Sequence, residues 1–510
     1  MHYTLLTGST GFVGRYLLKD MLLAELPVAV LVRGTKRETA RARIESVMTY
    51  WEQRLERSLP RPVILEGDVR HAGCGLGSQS LDWLKQHCDT IVHSAASMKF
   101  HADGAEGEPF VTNVVGTTNL LAVCQGSGIR HFHHVSTAYL CGLRTGRILE
   151  SELDLGQTCG NDYERSKMAA EKQIREAPFL ESATFYRPAS VLGDAVTGYT
   201  TNFHGFYAPL QALYSMVKGL LVLGDVGRQM IHDAMLQTRF MDRLNLTGAE
   251  GKNLVPVDWV SAVLVSVLQR PDLHGETYHL TPRERTTVKL TSEVFEAVLR
   301  EYAQIPADFQ GTPIEVPESE REGAARVFRE QMRTYDSHWR DDPFFDTTNT
   351  SRAAPHLPCP LADRDLLTRT ARFAVESNFG WPRPRTIEPA FDAHSCLEPL
   401  LVAAEHGEPT TPGDQTAVGL QITGQGGGDF TVLLADERPV AAEPGIAGRC
   451  GTRYFLNSAI FQALVKNEIT VEEAVYSGAV VIESDGLSSR PPTEVLRTII
   501  QQRLSEIVST

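Results

Sequence analysis

Tyr163 and Lys167 stand four residues apart in NDYERSK. On a helix, positions i and i+4 share one face, so this spacing sets a phenol beside an ammonium. A tyrosine hydroxyl ordinarily titrates near ~10 and is a poor acid–base group at neutral pH. A nearby ammonium stabilises the phenolate and lowers that value. The pair is read as acid–base chemistry on a carbonyl or alcohol, with the ammonium also able to bond a nucleotide ribose. Upstream, HFHHVSTAYL reads as a strand that supplies Ser136 and Thr137. A hydroxyl from this strand can hold the substrate oxygen that Tyr163 protonates. Thr137 is the choice, Ser136 is the competitor, and one of the two is structural. Asn113, in TNVVGTTNLL, is read first as a capping or core amide.

A reacting pair needs a platform. HYTLLTG reads as a buried strand and Phe12 to Glu25 as a helix. Between them TGSTGFVG places Gly8, Ser9, Thr10, Gly11, Phe12, Val13 and Gly14 at a strand-to-helix turn. Gly8 permits the tight turn, Gly11 lets a pyrophosphate approach the backbone, and Gly14 lets the helix pack on the strand. The free N–H groups of the helix N-terminus then face the phosphates. The second strand, VAVLVRG, ends at Arg33, where NAD-selecting sites carry an acid for the ribose 2′-hydroxyl. A guanidinium there attracts a 2′-phosphate, so the expected cofactor is NADPH. Lys36, Arg37, Arg41 and Arg43 follow; for Lys36, Arg37 and Arg41 a solvated basic face explains as much.

Asp68 and Val69, in EGDV, end a third strand, where a carboxylate can meet the adenine amino group. Ser94, Ala95 and Ala96 end a fourth, TIVHSAA, where small side chains let a cofactor lie across the strand ends. Thr112 to Gln125 reads as a helix, and ATFYRPASVLG and GETYHLT as later strands. This alternation implies a doubly wound parallel α/β sheet. The aromatic, helix-prone stretch Thr201 to Leu223 is expected to build a substrate pocket. Further helices are expected at Ser292 to Tyr302 and Ala324 to Tyr335, flanking an acidic loop at Glu315 to Glu322.

The chain has 510 residues, with two domains as the natural prior, and a formal charge of −14. That balance argues against a nucleic-acid partner, which wants clustered Lys and Arg. Eight scattered cysteines form no CxxC pair, so no metal site is expected and a reducing cytoplasm fits. No leader is expected before MHYTLLTGSTG, and no apolar run suggests stable membrane insertion.

TGSTGFVG, GDV, HSAA, NVVGTTNLL, VSTAY, YERSK and RPASVLGD, in this order, resemble the extended short-chain dehydrogenase/reductase family. The resemblance covers roughly residues 1–380 and is strongest to fatty acyl-CoA reductases and terminal thioester-reductase domains. It implies a Rossmann-type sheet with a substrate subdomain, and Thr137, Tyr163 and Lys167 as the catalytic set. It implies Arg33 and Arg43 on the 2′-phosphate, and Pro188, Ala189 and Val191 beside the nicotinamide. The implied reaction is NADPH-dependent reduction of a lipid-like acyl thioester, borne on CoA or a carrier protein, to aldehyde or alcohol. The alternative is a dehydrogenase or ketoreductase acting on a sterol, terpenoid or sugar-like substrate. No adenylation or carrier domain is expected ahead of the reductase, so the acyl group is expected from outside. YDSHWRDDPFFDTTNT suggests no chemistry; its Trp339, Phe344 and Phe345 are read as core or pocket wall.

Proline-rich WPRPRTIEPAF, Trp381 to Phe391, reads as a linker between domains 1–385 and 386–510. Beyond it AVGLQITG and FTVLL alternate as half-buried strands. Asn457 to Val465 has helical spacing, Thr470 with Glu473 forms a capping box, and AVVIES closes as a strand. GGGDFTVLL, FLNSAIFQALVKNEITVEEAVYSG and AVVIES resemble the sterol carrier protein fold, a small α+β unit enclosing an apolar tunnel. In that reading Ile460, Phe461, Leu464 and Tyr476 line the tunnel; as simple core residues they need no ligand.

Overall fold

The computed structural model describes residues 2–104, 107–222, 224–237, 244, 246–306, 309, 330, 332–382, 389–406, 416–435, 438–448, 450–485 and 491–501. The acidic loop, and all of the helix expected from Ala324 to Tyr335 except its last few residues, lie outside them.

Seven parallel strands form the main sheet: β1 (Tyr3–Thr7), β2 (Val28–Val32), β3 (Val63–Glu66), β4 (Cys88–His93), β5 (His131–Val135), β6 (Ser182–Pro188) and β7 (Thr277–Leu280). Their order is β7-β6-β5-β4-β1-β2-β3, so the chain reverses direction between β1 and β4. In open α/β sheets that switch point is where ligands bind, outside the carboxyl ends of the strands. β2 is buried at every position, as a central parallel strand covered on both faces must be.

Helices cover both faces. On one lie α1 (Phe12–Leu23), α2 (Ala40–Leu55) and a later helix, Val257–Leu268, whose side chains join Leu6, Val30 and Val92 in one apolar core. On the other lie α3 (Ser78–His87), α4 (Gly116–Ser127) and α5 (Asp162–Arg175), packed on Leu5, Ile91 and Phe132. A third core joins α6 (Tyr207–Leu221), α7 (Val288–Tyr302) and α8 (Arg364–Glu376) into a unit beyond the strand ends.

Three elements differ from the sequence reading. β5 stops at Val135, and Ala138–Cys141 coils into a 3₁₀ turn capped by the Thr137 side chain. ATFYRPASVLG breaks after Pro188, and Ser190–Leu192 pairs with Leu254–Pro256 outside the main sheet. In the C-terminal part, Arg438–Pro444 and Thr452–Asn457 are strands that the patterning left unread.

That C-terminal part has its own sheet: β8 (Thr416–Thr423), β9 (Gly428–Ala435), β10 (Arg438–Pro444), β11 (Thr452–Asn457) and β12 (Val481–Ser484), ordered β10-β9-β8-β11-β12. Only β8 and β11 run parallel. α9 (Ala393–His406), α10 (Ser458–Val465), α11 (Val471–Tyr476) and α12 (Pro492–Gln501) complete it. The Thr470–Glu473 capping box opens α11 as expected. Phe461 and Leu464 are buried in a separate apolar core, whereas Tyr476 is 89% exposed and lines nothing.

The two parts touch at defined groups. The Tyr3 hydroxyl accepts from Ile446 N at 2.6 Å, and Trp83 Nε1 donates to Pro444 O at 2.7 Å. Gln425 donates to Thr49 at 3.0 Å, and Arg41 pairs with Asp392 at 2.6 Å.

Candidate active site

The glycine turn is as tight as its residue types allow. Gly8 has φ +74°, and a Cβ there would meet Ala95 N at 2.6 Å. A Cβ on Gly14 would lie 2.0 Å from Gly8 O. Gly11 N donates to Gly8 O at 2.8 Å, closing the turn. Ser9 is fully buried, and its hydroxyl has no partner among the described residues. Phe12 and Val13 pack onto the core and hold the helix start in place. Ser94 N and Ala95 N both reach Thr7, at 3.3 and 3.2 Å, which seats the end of β4 against the turn.

Two guanidiniums converge beside it. Arg43 donates to Thr10 Oγ1 at 2.8 Å and to Arg33 O at 2.6 Å. Burial and the neighbouring Arg33 charge lower the Arg43 pKa. Like charges held together want an anion between them, and a cofactor 2′-phosphate has the right charge. Arg41 does not join this cradle, since its partner is Asp392. Asp68 lies 3.5 Å from Arg33 and is gripped by Arg70 at 2.6 Å. Despite partial burial, the Arg70 hydrogen bonds hold its carboxyl down at about 2. Val69 is buried, and its carbonyl accepts from Asn119 at 2.8 Å.

Asn113 is a core amide. It is 2% exposed and bonds Ser97 N and O, at 2.8 and 2.9 Å, and Ser166 Oγ at 2.9 Å. It thereby ties the segment after Ala96 to α5. It sits in a π-helical turn leading into α4, a form frequent near functional sites.

Thr137 stands beside the Tyr163 phenol, and its own hydroxyl accepts from Tyr139 N at 3.3 Å. Burial raises the phenol's pKa, Glu164 adds to this, and the Thr137 bond pulls against it. Ser136 instead donates to Glu171 Oε2 at 3.0 Å. Glu171 also holds Arg187 at 2.6 Å and Arg175 at 2.8 Å in a buried network. Lys167 is 2% exposed; its Nζ donates to Val135 O at 2.6 Å and lies 3.2 Å from His134 Nε2. Burial lowers its pKa to about 7, against the opposing pull of Glu171. The sequence reading had the ammonium acidify the phenol; here burial pushes the phenol's pKa up.

Pro188 ends β6, Ala189 N donates to Leu280 O at 3.1 Å, and Val191 packs on the first core. Past them opens an apolar pocket whose wall includes Ser190, Phe206, Leu254, Tyr335, His338 and Trp339. The cavity itself is small, about 50 Å³. Phe100 links pocket to phenol: its ring stacks on His338 at 5.0 Å and lies 6.0 Å from the Tyr163 ring. Behind this wall Tyr139 donates to Asp342 at 2.9 Å and contacts Ser190 at 3.3 Å. Thus YDSHWRDDPFFDTTNT supplies wall and framework. Phe345 packs on Tyr139, while Phe344 is 55% exposed beneath the Arg285 guanidinium rather than core.

Phe100, His134, Tyr139 and His338 were not singled out from the sequence. His134 had a readable signal, because it and Ser136 are two apart on one strand and therefore face the same side, toward α5.

Residues 6–264 match the family described as male sterility protein. The chain belongs to that family. It is 27% identical over 304 residues to the L-2-aminoadipate reductase large subunit of Penicillium chrysogenum, covering 55% of this chain and 19% of that protein. It is 24% identical over 404 residues to aldehyde reductase lnaA of Aspergillus flavus, covering 72% and 35%. The chain therefore spans about a third or less of these relatives. Its fold is that of the terminal R domain from the myxalamid PKS-NRPS biosynthetic pathway, with TM-score 0.56 and 23% identity over 74% of this chain and 92% of that one. The family is one of NAD-binding proteins, and residues 6–264 take in β2 to β6 of the main sheet.

Proposed function

We propose that this chain is an NADPH-dependent oxidoreductase that reduces an apolar acyl thioester, presented on CoA or a carrier protein, to an aldehyde or alcohol. The observation that carries the reading is Thr137 beside the Tyr163 phenol, with the Phe100 ring between that phenol and His338 of the apolar pocket. The names of the relatives, an aminoadipate reductase and an aldehyde reductase, point the same way.

The residues present fit the cofactor. The glycine turn leaves its N–H groups and Ser9 for a pyrophosphate, and Arg33 with Arg43 suits a 2′-phosphate over a bare ribose hydroxyl. Bound there, NADPH supplies the hydride. Tyr163, kept protonated by burial, donates a hydrogen bond to the thioester carbonyl oxygen, and Thr137 orients the phenol. As the carbon gains hydride, its oxygen gains charge, which these hydroxyls stabilise. The C=O bond then re-forms, the C–S bond breaks, and the departing thiolate takes up a proton. The pocket beyond Phe100 excludes water and accepts the acyl chain.

The division at 385/386 falls within residues outside the described set, and we propose it on the separate sheet and core of the C-terminal part. Its strand and helix order supports a sterol-carrier-like unit handling apolar ligands. Among the described residues no helix is long and apolar enough to cross a membrane. The eight free cysteines suit a reducing cytoplasm.

The test is incubation of the purified chain with NADPH and a series of acyl-CoA and acyl-carrier thioesters, following absorbance at 340 nm and thiol release together. Equimolar NADPH loss and thiol release supports thioester reduction. NADPH turnover with ketones alone, without thiol release, makes the chain a ketoreductase on the same residues.

A further inference from the structure

We infer that His134 is a positioning residue for this reaction: its Nε2 accepts a hydrogen bond from Lys167 and, with the Val135 carbonyl, fixes where the ammonium points. The inference rests on the reductase reading above. An ammonium has three donors and no acceptor. One donor goes to Val135 O at 2.6 Å, and a second lies 3.2 Å from His134 Nε2. Only the third remains for a cofactor or substrate. As an ammonium Lys167 can only donate, so Nε2 accepts from the charged form, which puts the imidazole proton on Nδ1, a buried atom with no other partner among the described residues.

The surroundings leave this contact unopposed. His134 is 1% exposed, and burial drives its pKa well below the ordinary value, with Lys167 adding to the effect. From β4, His93 sits 5.3 Å away, ring to ring, also neutral through burial. Thr7 accepts from Ala95 N, and its hydroxyl is also hydrogen-bonded with His93 Nδ1 at 2.7 Å. On α5 the titratable groups one turn either side are Tyr163 and Glu171. Glu171 is committed to Arg187 and Arg175. A neutral acceptor at hydrogen-bond distance stabilises the charged form of Lys167, and a hydrocarbon in its place does not.

The test uses the full chain labelled with ¹³Cε-lysine, in wild type, His134→Phe and His134→Gln. The Lys167 resonance is identified by its loss in Lys167→Met. In His134→Phe, Lys167 should titrate about one pH unit lower than in wild type, having lost a partner for its charged form. In His134→Gln, whose amide oxygen can accept, the titration should return toward wild type. The basic limb of the kcat profile should move in parallel. A folded His134→Phe with unchanged Lys167 titration overturns the inference. In wild type, ¹⁵N imidazole shifts should show the proton on Nδ1, and a proton on Nε2 overturns the inference even if neither variant folds. The lysine and imidazole resonances need no substrate. A shifted titration in a protein that turns over no thioester rejects the reductase reading alone.

Discussion

Ser136 donates its hydroxyl proton to Glu171 at 3.0 Å, inside a carboxylate–guanidinium network that is almost wholly buried. Its neighbour Thr137 faces the Tyr163 phenol. Adjacent hydroxyls that look alike in VSTAY therefore do different work, one holding α5 to β5 and the other touching the reacting group. Thr137→Val should lower kcat about 100-fold or more, by analogy with loss of one polar group from such a site, and cost about 1 kcal/mol of stability through the lost cap on Tyr139 N. Ser136→Ala should keep most activity and cost about 1–2 kcal/mol of stability. NADPH turnover and thermal melts on both variants check the split.

Glu171 is the keystone of that network. Removing it leaves Arg187, 1% exposed, as a buried charge without its carboxylate. Glu171→Ala should destabilise the chain by about 3–5 kcal/mol, as breaking a buried pair does. Urea unfolding measures this, and a loss under 1 kcal/mol would mean that water or backbone readily replaces the carboxylate.

Arg43 bridges Thr10 and the end of β2. Arg43→Ala should weaken NADPH binding about 10- to 100-fold, as loss of a charge-assisted contact does, and leave NADH binding nearly unchanged. Fluorescence titration with both nucleotides decides the matter, since an equal loss for both would place Arg43 away from the 2′-phosphate.

Asp429 opens a pH window at the junction of the two parts. Burial pushes its carboxyl from 3.8 up to about 7, against a Gln421 hydrogen bond and the Arg61 charge. A carboxyl whose folded value is raised binds its proton more tightly when folded, so stability falls as pH rises between those two values. Below pH 3.8 this group carries no penalty, and above about 7 the penalty is complete. Asp429→Asn should gain melting temperature over wild type as pH climbs from 4 to 7, and a pH-independent difference would show that the carboxyl is readily solvated.

The strand-to-helix glycine turn, the strand alternation and the four-residue Tyr–Lys spacing were legible in the chain because each is a local constraint. Short-range sterics and helix periodicity fix them wherever the segment folds. The sequence by itself thus determined a doubly wound sheet with a phenol and an ammonium on one helix face. It also determined two cations after β2, and Arg43 does reach Thr10. Only the tertiary structure decided what those groups experience. Which hydroxyl meets Tyr163, why Arg41 leaves the cradle for Asp392, and how Lys167 comes to rest on His134 all depend on segments far apart in sequence. Burial is likewise a property of the packed whole, and it pushes the phenol's pKa up where the helix spacing alone suggested a lower one.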